Sequence, residues 1–197
     1  LVADGTVDGW DDPRLPTLRG LRRRGYPASS IREFCNYIGV SRTNSRHDIE
    51  LLESFVRTEL NRTALRRMAV LRPIKLVITH WPTNPDGTPV VEMCEVVNNP
   101  ENPADGTRLV PFSGELYIES EDFAIDPPPQ FFRLAPGREV RLRAGYFVKH
   151  VDHTTDAAGI VTEIRCTYDP ETRGGNAPDG RKVKTTLHWV SAAHSIP

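Results

Sequence analysis

The side chains in this sequence with the most evident chemistry are paired cations. On a strand, successive side chains point to opposite faces. Arg141 and Arg143 would therefore share one face with Leu142 behind them, and Lys182 and Lys184, after Arg181, would share one with Val183 buried. Arg173 precedes Gly174 and Gly175, where a missing Cβ would let a ligand's backbone or a base come close. Arg19, Arg22, Arg23 and Arg24 crowd onto the short stretch between Thr17 and Gly25. Local acids cannot neutralise four guanidiniums there, so this positive surface calls for an anionic partner or for acidic groups elsewhere in the protein. Two accounts fit the strand clusters. One is the solvated outer face of a barrel. The other is a surface for single-stranded RNA, on which arginine forks hold base edges and phosphates.

Other chemistry is poorly represented. The sequence has no Gly-x-Gly-x-x-Gly, P-loop, Gly-x-Ser-x-Gly or His-Glu-x-x-His motif, and no nucleophile–base pair stands out. His150 and His153 are three apart, which on a regular strand places them on opposite faces. A metal site would need three or four converging ligands, so none is expected. His188, beside Trp189 in an alternating stretch, reads as structural. No catalytic residue is assigned.

The elements that must position the cations fall into two periods. Asp11, Asp12 and Pro13 form an extended lead-in; Thr17 caps a short helix, and Gly25 and Pro27 stop it. A second helix runs over Ala28–Gly39 with an apolar stripe of Ile31, Phe34, Cys35 and Ile38. A third spans Asp48–Asn61, turning Ile49, Leu52, Phe55, Val56 and Leu60 inward and pairing Glu53 with Arg57, and a further turn or helix covers Ala64–Val70. From Pro73 β-branched segments take over: Ile74–Thr79, Val90–Val96, Phe112–Ile118, Glu139–Arg143, Tyr146–Asp152, Ile160–Tyr168 and Lys182–Val190. Gly159 and Asp179-Gly180 mark hairpin turns. The expected fold is α+β, a small helical bundle over 1–70 followed by a closed or nearly closed antiparallel β-barrel over 71–197.

Composition bounds the reading without deciding it. The 197 residues suffice for one large or two small domains, and no apolar run approaches the ~20 residues of a membrane helix. Cys35, Cys94 and Cys166 are too far apart for a paired motif and are expected to be buried free thiols in a reducing, cytoplasmic setting. The net charge of −1 conceals an asymmetry: twelve Arg face nine acids up to Val70, while the remainder holds 13 basic and 17 acidic residues. Only local clusters, then, could speak for a nucleic acid.

The sequence resembles the glutaminyl-tRNA synthetases. The likeness runs through Asp8–Arg14 (with its Trp-Asp-Asp-Pro-Arg), Pro16-Thr17, Gly20–Tyr26, Ser30–Cys35, Ile38–Val40, Arg67–Val70 and Val110–Gly114. It continues in Glu139–Arg143, Cys166–Tyr168, Asp179–Lys184 and His188–His194, covering nearly the whole chain in order, with wording closest to bacterial members. The glutamyl-tRNA synthetases of archaeal and eukaryotic type share the Trp-Asp-Asp-Pro-Arg element and are the nearest alternative. An RNA-binding barrel module without enzymatic role, or a structural fragment, is a further one. What the resemblance implies is a fragment that follows the Met-Ser-Lys-like loop of a Rossmann-type catalytic domain and lacks the distal anticodon barrel. The parent enzyme would use ATP and Mg2+ to join glutamine to its tRNA; the fragment would hold no cofactor and be inactive alone. Residues 1–70 would contact the inner side of the tRNA L, with Arg19, Arg22, Arg23 and Arg24 facing tRNA or a neighbouring domain. Residues 71–197 would be the proximal anticodon-binding barrel. Arg108 matches the arginine that contacts the middle anticodon base, Arg181, Lys182 and Lys184 the region of the first base, and the Thr172–Asn176 loop with Arg173 that of the third. Arg141 and Arg143 match a basic strand on the anticodon stem or backbone.

Overall fold

A computed structural model describes residues 1–174 and 177–196. The chain divides into two compact units: Leu1–Leu65 with Asn99–Asp105, and Arg66–Asn98 with the chain from Gly106 onward. Among the described residues no helix is long and apolar enough to cross a membrane.

The first unit holds three helices, α1 (Leu18–Arg23), α2 (Ala28–Ile38) and α3 (Ile49–Thr63). Its lead-in is built around Asp12. That carboxylate is buried and accepts from the Asp8 and Arg14 backbone N–H groups and from the Arg14 guanidinium at 2.7–3.2 Å. The Arg14 hydrogen bonds hold it well below the usual carboxylate range. Thr17 starts α1 as its composition predicts, accepting from the Gly20 N–H at 2.9 Å. Gly20 has no alternative, since a Cβ there would lie 2.4 Å from the Leu15 carbonyl oxygen. Phe55 of α3 packs on Phe34 and Tyr37 of α2, with ring centroids 6.2 and 5.6 Å apart. Glu53 accepts from the Tyr26 hydroxyl at 3.3 Å, and the ion pair on α3 is Arg62–Glu59 at 2.8 Å.

The apolar stripes are only partly covered: Ile49 and Leu60 are exposed, and so is Cys35, against the expectation of a buried thiol. The turn or helix expected over Ala64–Val70 does not form. Ala64 is already extended (φ −83°, ψ 131°), and the Arg66 N–H donates to the Asn98 carbonyl at 2.6 Å. Asn99 is fully buried, and its amide nitrogen donates to the Arg62 carbonyl, one of the last carbonyls of α3.

The second unit is a curled seven-stranded sheet with a two-stranded ribbon. Its strands are β1 (Pro73–Ile78), β2 (Glu92–Val97), β3 (Thr107–Phe112), β4 (Glu115–Glu119), β5 (Glu139–Leu142), β6 (Phe147–Thr155), β7 (Val161–Asp169), β8 (Thr186–Leu187) and β9 (Val190–Ser191). The order is β8-β5-β6-β7-β1-β4-β9, with β2-β3 apart. Two features correct the expected closed antiparallel barrel. The β1–β7 and β5–β8 ladders are parallel, because in each case the chain returns in its original direction after intervening strands. The sheet is also a half-barrel, not a closed one. Its two edge strands, β8 and β9, come from one short stretch of chain and are separated in sequence only by His188 and the buried Trp189.

Alternation places Ile74, Leu76 and Ile78 of β1 in the core. There Trp81, Phe112, Tyr146, Tyr168 and Trp189 meet, with ring centroids 4.8–5.9 Å apart. Cys94 and Cys166 are buried as expected, and burial pushes the Cys166 thiol up to about 12. The expected Phe112–Ile118 strand breaks at Ser113-Gly114, where the backbone runs so close to Trp81 that a Cβ on Gly114 would lie 2.8 Å from that of Trp81. The expected Lys182–Val190 strand shrinks to β8 and β9. Lys182 and Lys184 precede it, and Val183 is half-buried, not in the core.

The two histidines also depart from expectation. The β6–β7 register shifts between His150 and Asp152, leaving Val151 exposed as a bulge. One extra residue reverses the alternation. His150 Nε2 and His153 Nδ1 therefore lie 3.2 Å apart, against Phe123. Burial lowers the His150 pKa, with His153 adding to the effect.

Ala144, in the turn between β5 and β6, has φ 56°, a left-handed conformation that costs an L residue about 1–2 kcal/mol. Ala144→Gly relieves that strain but adds chain entropy to the unfolded state, about 0.5–1 kcal/mol. The variant is expected to be more stable by roughly 0.5–1 kcal/mol in a urea titration; a loss of stability would mean that the methyl group contributes packing that outweighs the strain.

Candidate nucleic-acid interface

Arg108 lies on β3, paired with Val96 of β2, and therefore on the ribbon face that also carries Cys94 and Val110 toward the core. Its guanidinium is half-buried and donates to the Asn98 side-chain oxygen at 3.2 Å. The same oxygen accepts from Arg67 Nη1 at 3.5 Å. Arg143, at the end of β5, places Nη1 3.3 Å from His188 Nε2, while its carbonyl accepts from the Trp189 indole N–H at 2.8 Å. Burial lowers the Arg108 pKa, followed by repulsion from Arg67 and from Arg143. Among the described residues no carboxylate lies within ion-pair distance of these three arginines. Three like charges drawn together without a counter-ion cost stability, and an arriving anion removes that cost.

Arg67 and Arg108 also stand on a groove of about 830 Å³ whose walls include Val110, Pro111, Tyr117 and Trp189. An apolar wall with two planar cations beside it suits an unstacked base attached to a phosphodiester. Sequence reading singled out Arg108 and Arg143 but missed Arg67, Asn98 and His188. Asn98 ends a strand as an ordinary loop residue, and Arg67 lies 41 residues before Arg108, so no local pattern connects them.

The other arginines are more fully engaged. Arg181 pairs with Glu139 at 3.0 Å, with Asp179 at 2.7 Å and with Asp169, and these hydrogen bonds raise its pKa. Its guanidinium lies over the Phe147 ring at 5.4 Å, beside that of Arg141 at 5.1 Å. Arg173 sits 3.5 Å from Glu92 and donates to the Met93 carbonyl at 3.0 Å, while Glu92 also accepts from the Tyr146 hydroxyl at 2.5 Å. Of the Thr172–Asn176 loop, Gly175 and Asn176 lie outside the described residues. Lys182 is exposed, and Lys184 holds its ammonium 4.4 Å from the centroid of Phe132. In the first unit Arg19, Arg22, Arg23 and Arg24 are all exposed; Arg23 reaches Asp11 at 3.4 Å and Arg24 lies over Tyr26 at 4.9 Å.

Two family models match the chain. Residues 64–169 match that of the tRNA synthetases class I (E and Q), anti-codon binding domain, and residues 1–62 that of the catalytic domain of the same class. The glutamine–tRNA ligase of Nitrobacter hamburgensis is 56% identical over the whole chain, which corresponds to 34% of that protein. That of Rhodopirellula baltica is 57% identical over 99% of the chain and 32% of its own length, and that of Citrobacter koseri 50% over all of it and 35% of its own. The chain spans about a third of the length of the curated relatives it matches. With a cationic, carboxylate-free cluster inside the stretch that matches the anticodon-binding model, the chain belongs to the class I tRNA synthetases of the E and Q group.

Proposed function

We propose that the chain is the tRNA-contacting part of a glutamine–tRNA ligase. The helical first unit serves as the stem-contact region, and the second unit, which carries Arg67, as the proximal anticodon-binding domain. The observation that carries this reading is the Arg67–Arg108–Arg143 cluster, which concentrates positive charge beside an apolar groove. The relatives named above are glutamine–tRNA ligases, which favours glutamine over glutamate. The parent reaction activates glutamine with ATP and Mg2+ and transfers it to tRNA. In that division of labour this chain contributes binding and positioning.

Arg108 takes a base edge or phosphate at the groove, and Arg67 and Arg143 hold the flanking backbone. Arg173 and Arg181 enter as arginines that an RNA phosphate must win from Glu92 and from Glu139, Asp169 and Asp179. Arg141, Lys182 and Lys184 extend the surface, and Arg19, Arg22, Arg23 and Arg24 face the inner tRNA L or a neighbouring domain. Contacts far from the reacting ester raise turnover only when their binding energy positions the acceptor end or favours a productive active site.

Titration of the chain with a glutamine tRNA transcript at rising salt tests the electrostatic part. The logarithm of the binding constant is expected to fall linearly with that of salt, by roughly 0.7–0.9 per phosphate contact. Affinity independent of salt would refute it.

A further inference from the structure

A second aromatic–cationic element lies at the other end of β5 from Arg143. Parallel pairing of Arg141 with Thr186 sets the register of β5 against the stretch that leads into β8. The backbone N–H of Arg141 donates to the Thr185 carbonyl and that of Arg143 to the Leu187 carbonyl. Along this stretch Lys182, Lys184, Thr186 and His188 are exposed at every second residue, while Leu187 and Trp189 are buried. One outward row thus leads from His188, beside Arg143, past Thr186, beside Arg141, to Lys184. Two residues of strand cover about 6.7 Å, so the row spans roughly 13 Å, the reach of a few nucleotides.

Lys184 ends the row on Phe132. That ring is 49% exposed, unusual for a phenylalanine, and carries the Lys184 ammonium 4.4 Å from its centroid. It is presented by a braced loop. Pro127, Pro128 and Pro129 limit the backbone on one side, and the Phe131 N–H donates to the Pro128 carbonyl at 2.9 Å. Arg138 donates to the Phe131 carbonyl, and Arg133 pairs with Asp122 at 3.1 Å. A ring held out to solvent beside an ammonium combines the two ingredients of single-strand recognition, a stacking face and a charge for the adjoining phosphate.

We propose that Phe132 is a stacking platform for a base of the bound RNA strand, with Lys184 neutralising a neighbouring phosphate. This rests on the tRNA-binding reading above and adds a contact that the arginine clusters do not supply. Stacking on an aromatic ring is worth about 1–3 kcal/mol per base on alanine substitution, so Phe132→Ala should weaken binding at least about fivefold.

The test is fluorescence anisotropy of the intact chain with end-labelled oligoadenylate, oligouridylate and a glutamine tRNA transcript. The expected result is that Phe132→Ala loses at least about fivefold in affinity for oligoadenylate and for the transcript, and less for oligouridylate, whose bases stack less well. Phe132→Tyr, which keeps the ring and its lysine contact, should bind like the parent chain. Equal losses for both homopolymers would mean that Phe132 only props the loop, and would overturn the platform. Unchanged binding by Phe132→Ala, with Arg108→Ala weakened, would overturn the platform and leave the tRNA-binding reading standing. No RNA binding by the parent chain would overturn that reading and the platform with it.

Discussion

Trp189→Ala is expected to cost the second unit about 3–5 kcal/mol, the range for removing a fully buried aromatic side chain. Trp189 is wholly shielded from solvent, lies 4.8 Å from Phe112 between ring centroids, and donates to the Arg143 carbonyl at 2.8 Å. Truncation therefore opens a cavity and strands a carbonyl. Against the 5–15 kcal/mol typical of a whole domain, such a loss is severe. Trp189→Phe keeps most of the apolar volume and removes the indole N–H, so a smaller loss of about 1–3 kcal/mol is expected. Urea unfolding followed by circular dichroism measures both. If alanine cost less than phenylalanine, or less than about 1 kcal/mol, the indole would not be a load-carrying part of the aromatic core.

Arg108→Ala should have the opposite profile, a large effect on RNA and little on the fold. Burial and the neighbouring Arg67 and Arg143 lower its pKa, so the charged form is disfavoured in the folded chain. Removing that charge is expected to leave the unfolding midpoint unchanged or to raise it. Affinity for the tRNA transcript should fall by about 1–3 kcal/mol, the value of one good bidentate contact, or roughly 5- to 150-fold. The salt dependence then identifies the contact. A shallower slope, by roughly 0.7–0.9, marks a phosphate, and an unchanged slope with lower affinity marks a base edge. Arg108→Lys keeps the charge without the fork and should recover a phosphate contact better than a base contact. A variant that binds normally would remove Arg108 from the interface, and one that unfolds would make it structural.

Legibility in the sequence followed the range of the interaction. Thr17, Gly39 and the stripe of Ile74, Leu76 and Ile78 act through neighbours a few residues away, and each is where local pattern puts it. The bulge at Val151 depends on which residue of β7 faces each residue of β6, and no spacing within β6 discloses it. Lys182 and Lys184 are exposed on either side of a half-buried Val183, but the ladder their alternation suggests begins only at Thr186. Ala64–Val70 has helix-forming composition, yet the Arg66 N–H finds its acceptor at Asn98, and a distant carbonyl overrides propensity.

The candidate site divides the same way. Arg108 and Arg143 were legible, one by family likeness and one by its place on a basic strand. Arg67 joins them only through Asn98. Arg181 was legible as a cation, but its three carboxylate partners come from positions 139, 169 and 179, so its engagement was not.

The placement of β8 and β9 also bears on how the second unit is built during synthesis. Both outer strands of its sheet come from the single stretch Thr186–Ser191, pairing back to Arg141-Leu142 on one side and to Leu116-Tyr117 on the other. Until that stretch leaves the ribosome, a nascent chain carries β4 and β5 with unpaired hydrogen-bonding rims, open to pairing with another chain. Contacts of such long sequence separation slow the final step. Translation speed and chaperone supply should therefore govern the yield of this unit more than the stability of its finished core.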